Sequence, residues 1–268
     1  NVASVHTKIL KLPFNGVERN RQGGILIWDP SIEDYAWAGG LQEGGRLGDM
    51  FAYRQIGVYA TDEEAASAPV DMTIGLTDKR KFGGDVNFED RDGNGLIDSR
   101  DQVHVGNPYP TLTGGFSNTL GYKNFSFNIR TDFMTGHTIY NYGAVVADGQ
   151  LQGDLMPTKK YWKNSWKKQG DITNTPRYLW QNQQQNISKN STYWQKGDFL
   201  AVREVTLSYT LPSSLARKMK LSSMRLNLTG NNLYYFTGYE GLNPEDGGTD
   251  YGRYPNPRTF TLGVKITL

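Results

Sequence analysis

Residues 90–101 read DRDGNGLIDSRD, with four aspartates, one asparagine and two glycines in twelve positions. Oxygen ligands at this spacing suit a hard cation. Set on a calcium loop, Asp90, Asp92 and Asn94 take positions 1, 3 and 5, and Gly95 takes the sharp turn at 6. Leu96 offers its carbonyl at 7, Asp98 stands at 9 and Asp101 at 12. The last position departs from the template, because aspartate has a shorter arm than glutamate. The flanks KFGGDVNFE and DQVHVGNPYP lack a helical pattern, so any calcium here binds outside an EF-hand. A second reading needs no ion: Asx side chains that bond their own backbone make a tight polar turn. The sequence leaves both open. An ion, if bound, is expected to be structural.

A second group is aromatic. Trp162, Trp166, Trp180 and Trp194 lie in one long stretch with Lys159, Lys160, Lys163, Lys167 and Lys168. Tyr251 lies in NPEDGGTDYGR (243–253). Such rings stack on sugar faces or anchor a partner. A self-packed loop with a solvated basic face is the simpler reading of the tryptophan stretch and the one favoured on general grounds. Catalysis finds little support. His6, His104 and His137 are scattered, there is no cysteine, and no nucleophile elbow frames a serine. The chain is expected not to be an enzyme. A net charge of +2 with no basic run gives no footing for nucleic acid.

The elements that carry these groups are strands. Among the 268 residues are 31 glycines and 16 tyrosines, a balance that favours strands and irregular loops over long helices. Helical patterns are short: Asp62–Ala68, Lys159–Lys168 and Ser213–Lys220. Period two is clear in FSFNIRTDF (125–133), where Phe125, Phe127, Ile129, Thr131 and Phe133 alternate with polar residues. Residues 199–211, 223–229 and 259–268 repeat it, and 111–122 does so less cleanly. No apolar run reaches 18 residues, which excludes membrane helices but not a membrane β-barrel.

Alternation alone fits two architectures. In a soluble sandwich the apolar face meets a second sheet; in a barrel it meets lipid. Link lengths favour the barrel. A tight turn at Tyr122-Lys123-Asn124 and a moderate link at 211–223 alternate with long links at 135–198 and 235–257. Outer-membrane barrels pair short periplasmic turns with long outer loops. By that parity the segment before Thr111, with its acidic loop, is external. Tyr122, Tyr140, Tyr142, Tyr209, Tyr234 and Tyr235 are expected at strand ends, as interfacial girdles. Five to eight strands cannot close a wide pore, and open edges are forbidden in lipid. The barrel is therefore expected to be completed by other polypeptide. The alternative is a surface or secreted β-sandwich that binds carbohydrate, with calcium bracing a loop.

Five stretches carry a family resemblance. They are GRLGDMFAYRQIGVYATDEEA (46–66), GGDVNFEDRDGNGLIDSRDQVHVGNPYPTLTGGFSNTLGYKNFSFNI (83–129), DFLAVREVTLSYTLP (198–212), MRLNLTGNNLYYFTGYEGLNPE (224–245) and DYGRYPNPRTFTLGVKITL (250–268). In this order they resemble the C-terminal part of SusC-like, RagA-like TonB-dependent transporters of the Bacteroidota outer membrane. The resemblance implies an all-β fold: an antiparallel segment of a barrel of roughly 22 strands with long extracellular loops. It implies import of bulky oligosaccharides or peptides, a SusD-like surface lipoprotein as lid, and energy from the TonB complex. It also implies a remaining N-terminal barrel and plug polypeptide, since residues 1–268 show no plug, TonB box or N-terminal domain. Leu268 stands where the family usually has an aromatic residue.

Overall fold

The computed structural model of the chain describes residues 1–147, 156–179 and 189–268. The alternating segments pair into one sheet. Its strands are β1 (Val2–Ser4), β2 (Leu112–Tyr122), β3 (Phe125–Thr135), β4 (Phe199–Thr210), β5 (Ser223–Thr237) and β6 (Thr259–Thr267). They lie side by side in chain order, each antiparallel to the next. The turn from β2 to β3 is closed by Lys123 in a left-handed conformation, φ 52°. A short helix, Ser213–Lys218, fills the link from β4 to β5. The long segments 5–111, 136–198 and 238–258 all leave from the opposite end. Short and long links alternate as the sequence predicts.

Register explains the alternation. Leu120, Phe127, Leu207, Leu228 and Leu262 face one another across five strands as a single apolar row. Nearer the long loops, Leu200 lies opposite Phe133 and Phe236, and Val202 opposite Thr131 and Tyr234. The phase of β4 has changed by one, and Arg203 is the extra residue. This bulge keeps Val202 and Leu200 on the same face as Val205 and Leu207.

That face is bare. Phe260 and Leu262 are 73% and 74% exposed, and Phe116, Leu120, Leu200, Leu207 and Leu228 are exposed with them. A sandwich requires a second sheet about 10 Å away over this face. None of the described residues covers it, which removes the sandwich reading. Aromatic pairs mark its two ends. Phe125 and Tyr209 stack at 4.7 Å beside the short links, and Tyr234 meets Phe236 at 4.7 Å beside the long loops. Tyr122, Tyr209 and Tyr234 thus lie on the girdle face as expected. Tyr235 does not: next to Tyr234 in a strand, it must point inward. Tyr140 and Tyr142 belong to the loops instead.

The long segments fold on one another. Short strands Met50–Tyr53 and Gln102–Gly106 pair, as do Gln55–Val58 and Val86–Phe88. Tyr53, Val86, Phe88 and Ile97 form a small core between them. A second sheet sets Thr138–Asn141 between Trp194–Lys196 and Gly248–Asp250, so it draws on two long loops. The expected helices are present but shorter: Asp62–Ala65, Lys159–Asn164 and Ser213–Lys218. Thr61 and Thr158 cap the first two by accepting from the N–H groups of Glu64 and Tyr161. The second stops at Asn164 because Ser165 turns extended and bridges to Thr175. No helix of the described residues is long and apolar enough to cross a membrane.

Candidate functional site

The acidic loop folds around its own backbone. Gly93 and Gly95 take left-handed φ values of 68° and 79°, which turn the chain sharply. Asp90 then accepts from the N–H groups of Gly93 and Gly95, both at 2.9 Å. Asp92 accepts from Asn94 N–H at 3.1 Å and from the Tyr35 hydroxyl at 2.7 Å. Asp101 is fully buried and accepts from the N–H groups of Arg91 and Asp98, at 2.9 and 2.8 Å. The turn brings Asp90, Asp92 and Asp101 together, each offering an oxygen within 4.8 Å of the others. Burial pushes the Asp101 carboxyl above its usual range, and the charges of Asp92 and Asp90 add to that.

The other candidate ligands divide. Asn94 donates to Asp92 at 2.9 Å, and its oxygen accepts from Leu96 N–H at 2.7 Å. The carbonyls of Gly95 and Ile97 accept from Val70 and Met72, so that of Leu96 lies on the opposite edge, toward Asn94. Asp98 is turned to Arg100, whose guanidinium holds it at 3.0 and 2.5 Å and lowers its pKa. A carboxylate oxygen has two lone pairs. One backbone N–H bonds each oxygen of Asp90 and Asp101 and one oxygen of Asp92, while the other Asp92 oxygen is taken up by the Tyr35 hydroxyl and the Asn94 NH2 group. One free oxygen lone pair from each of Asp90, Asp92 and Asp101, with the oxygens grouped within 4.8 Å, suits a cation as hard as calcium.

The aromatic candidates also separate. Trp166 is a packing residue: its Nε1 donates to Ala60 carbonyl at 3.0 Å, and its ring lies on Gly84, where an added Cβ would come within 2.5 Å. Trp162 is 54% exposed, with the Lys167 ammonium 4.1 Å from its ring centroid. Trp180 lies outside the described residues. Trp194 and Tyr251 are joined through two residues the sequence assigns to the girdle. Trp194 meets Tyr140 at 4.7 Å, Tyr140 meets Tyr142 at 6.3 Å, and Tyr142 meets Tyr251 at 5.4 Å. The chain of rings lies on one face of the small loop sheet. Period-two spacing of Tyr140 with Tyr142 is the signal that could have grouped them.

On the inner face of the wall, Arg203 ties the 238–258 segment down. Its guanidinium meets Asp132 of β3 at 2.5 Å and Glu245 at 2.5 Å, and donates to the Tyr235 hydroxyl at 2.6 Å. Its place at the bulge is visible only in the register. The histidines do not converge: His104 meets Asp49 at 3.2 Å, while buried His137 meets the Pro244 carbonyl at 2.9 Å. Among the described residues the acidic loop alone groups three potential metal ligands.

No protein-family model matches the sequence. Similarity to individual proteins is clear. TonB-dependent receptor P3 of Formosa agariphila is 32% identical over 239 residues, covering 84% of this chain and 22% of the receptor. TonB-dependent receptor SusC of Bacteroides thetaiotaomicron is 26% identical over 184 residues, covering 67% of this chain. The fold matches the structure of the RagAB peptide transporter with a TM-score of 0.68 at 18% identity, over 99% of this chain and 26% of that one. The chain belongs to the SusC-like TonB-dependent receptors. It spans about a quarter of the length of the proteins it matches. This receptor segment is a stretch of outer-membrane barrel wall, and its bare face is the lipid face.

Proposed function

We propose that the chain is one arc of an outer-membrane importer for bulky nutrients. The observation that carries this is the six-stranded meander with an uncovered apolar face and all three long loops at one end. β6 has one free edge, and β2 is paired on its outer side by only three residues of β1. Free edges are not tolerated in lipid, so polypeptide beyond these residues completes the barrel and supplies its plug. Oligosaccharides, and peptides as in the RagAB transporter, are the substrates in view. A SusD-like surface lipoprotein covers the loops, and the TonB complex energises transport. Trp162, Trp194 and Tyr251 stand on the outer segments, where substrate or lipoprotein would meet them. The receptor segment has no enzymatic role.

An antibody to residues 243–253 tests this. It is expected to label intact cells, because Tyr251 is exposed. From membranes in mild detergent it should recover a larger barrel polypeptide and a surface lipoprotein, identified by mass spectrometry. Recovery of a lone 30.1 kDa chain from the soluble fraction would end the proposal.

We propose further that the acidic loop holds one structural Ca2+. Asp101 has a raised pKa when folded, so without a cation the loop loses stability as pH rises through that value. A bound cation offsets this loss. Added calcium is expected to raise the unfolding temperature more at about pH 8 than at about pH 5, and to lose this effect in Asp101→Asn. Metal analysis of chelator-free protein should give one calcium per chain, and a clearly sub-stoichiometric content would sink the idea.

A further inference from the structure

The short-link end of the wall has a charge pattern of its own. Asn118, Ile129, Val205, Gly230 and Phe260 form a row across the middle of the sheet. From that row to the short links run residues 118–129, 205–230 and 260–268. They contain no aspartate or glutamate, and their cations are Lys123, Arg217, Lys218, Lys220, Arg225 and Lys265. None of these cations has an ion-pair partner among the described residues. Arg225 and Lys265 stand opposite each other on the inner face of the wall. The other four lie in the links themselves.

The link helix, Ser213–Lys218, sorts its side chains by flank. Ala216 is 1% exposed, which fixes the roll of the helix. Leu215 and Met219, four residues apart, share one flank, and both are bare to solvent at 47% and 54% exposure. Arg217 falls on the opposite flank, where its Nε donates to the Ser213 carbonyl at 3.3 Å. Lys218 lies on the side away from Ala216, at about 100° of turn per residue. Lys220 follows at once in a left-handed conformation, φ 60°.

This end of the wall also carries the aromatic girdle. Tyr122, Phe125 and Tyr209 lie in one row there, and Leu211 begins the link two residues after Tyr209. Lys123 sits in the neighbouring turn with its ammonium 5.3 Å from the Tyr122 ring centroid. Its stem therefore follows the girdle and its charge reaches the edge. An apolar helix flank at girdle depth, with cations beside it, is the pattern of a segment lying in a membrane interface. The cations stand on two separate links and do not converge on one point, so they suit a charged surface better than a single soluble anion. An acidic protein would satisfy the charges and leave Leu215 and Met219 in water. A leaflet of anionic lipid satisfies both.

We infer that the short-link rim binds anionic phospholipid of the periplasmic leaflet. Leu215 and Met219 enter the acyl boundary, and Lys123, Lys218 and Lys220 meet the headgroup phosphates. The inference rests on the placement of the wall in the outer membrane and not on what the receptor imports. Each cation near an anionic leaflet is worth roughly fivefold in affinity.

The test uses the full receptor, reconstituted in phosphatidylethanolamine vesicles. Ser214→Cys, in a segment with no cysteine of its own, carries a fluorophore one turn before Lys218. Phosphatidylglycerol and phosphatidylcholine, each with a nitroxide high on one acyl chain, are titrated in as quenchers. Phosphatidylglycerol is expected to reach half-quenching at a mole fraction at least tenfold lower. Lys123→Gln with Lys218→Gln and Lys220→Gln should abolish this preference, whereas Arg217→Gln should keep it. Leu215→Gln with Met219→Gln should reduce quenching by both lipids. All these side chains are exposed, and folded mobility in unheated gels confirms each variant. Equal quenching by the two lipids, or none by either, would overturn the inference. So would a preference that survives the triple variant or is lost equally in Arg217→Gln. Relief of quenching by inorganic phosphate would show a soluble-anion site instead. A fluorescence response to soluble peptidoglycan fragments without lipid preference would assign the rim to an acidic polymer.

Discussion

Val205→Arg is expected to keep the protein out of the outer membrane. Val205 lies on the apolar face of β4, between Tyr209 at the short-link rim and Leu200 near the long loops. Its neighbours in the row are Ile129 and Gly230, with Phe260 beyond. That row is near the middle of the hydrocarbon, where a guanidinium cannot reach water. A cation on the lipid face of a barrel costs about 2–4 kcal/mol at midplane and about 0–1 near the interface. The neighbouring residue makes the control. Thr206 points inward, where its hydroxyl meets Thr229 at 3.0 Å and Glu204 at 3.1 Å. Thr206→Arg puts the same charge into a wet lumen beside a carboxylate and should insert normally, as should Tyr209→Arg at the rim. The measure is the fraction of protein in the outer-membrane pool that keeps its folded mobility in unheated detergent gels. If Thr206→Arg fails and Val205→Arg inserts, the two faces of the wall have been assigned the wrong way round.

The same register shows what the sequence could and could not disclose. Phe125 to Phe133 announce their strand because a lipid face demands an apolar residue at every second position, with no neighbouring element to relax the rule. AVREV (201–205) breaks that rhythm, and only pairing reveals that Arg203 is a bulge preserving it. The acidic loop was legible for a similar reason: Asp90, Asp92 and Asp101 are ordered by local turns, and local geometry follows spacing. Asp98 was lost to Arg100, two residues away, because spacing does not weigh a competing cation. The aromatic groups depended on contacts between separate segments. Tyr142 and Tyr251 lie more than a hundred residues apart, so their meeting follows from how the outer loops interlock. The strands of residues 5–111 were illegible because they are two to five residues long. Segments of that length hold too few positions to establish a period.

Lys81→Met is expected to open the segment around residues 70–97. The Lys81 ammonium meets the Asp71 carboxylate at 2.6 Å, and their side chains are 3% and 0% exposed. The other Asp71 oxygen accepts from Thr73 N–H at 2.8 Å and its hydroxyl at 2.6 Å. The ammonium also lies 5.4 Å from the Phe88 ring centroid, at the edge of the small core with Tyr53, Val86 and Ile97. Two charges this deep are held by each other. Removing the cation alone strands a buried carboxylate, and breaking such a pair costs about 3–5 kcal/mol. That is a large share of the stability of any domain, roughly 5–15 kcal/mol. Amide exchange across Val70, Met72 and Ile97 should accelerate by about a hundredfold or more, since each 1.4 kcal/mol is worth a factor of ten. Asp71→Asn with Lys81→Met removes both charges and keeps an acceptor for Thr73, so it should recover most of the loss. The double variant separates the two explanations. If it exchanges as fast as Lys81→Met, the loss comes from the ammonium's place over the Phe88 ring and not from a stranded carboxylate. If it exchanges slowly, the cost of Lys81→Met was the stranded charge.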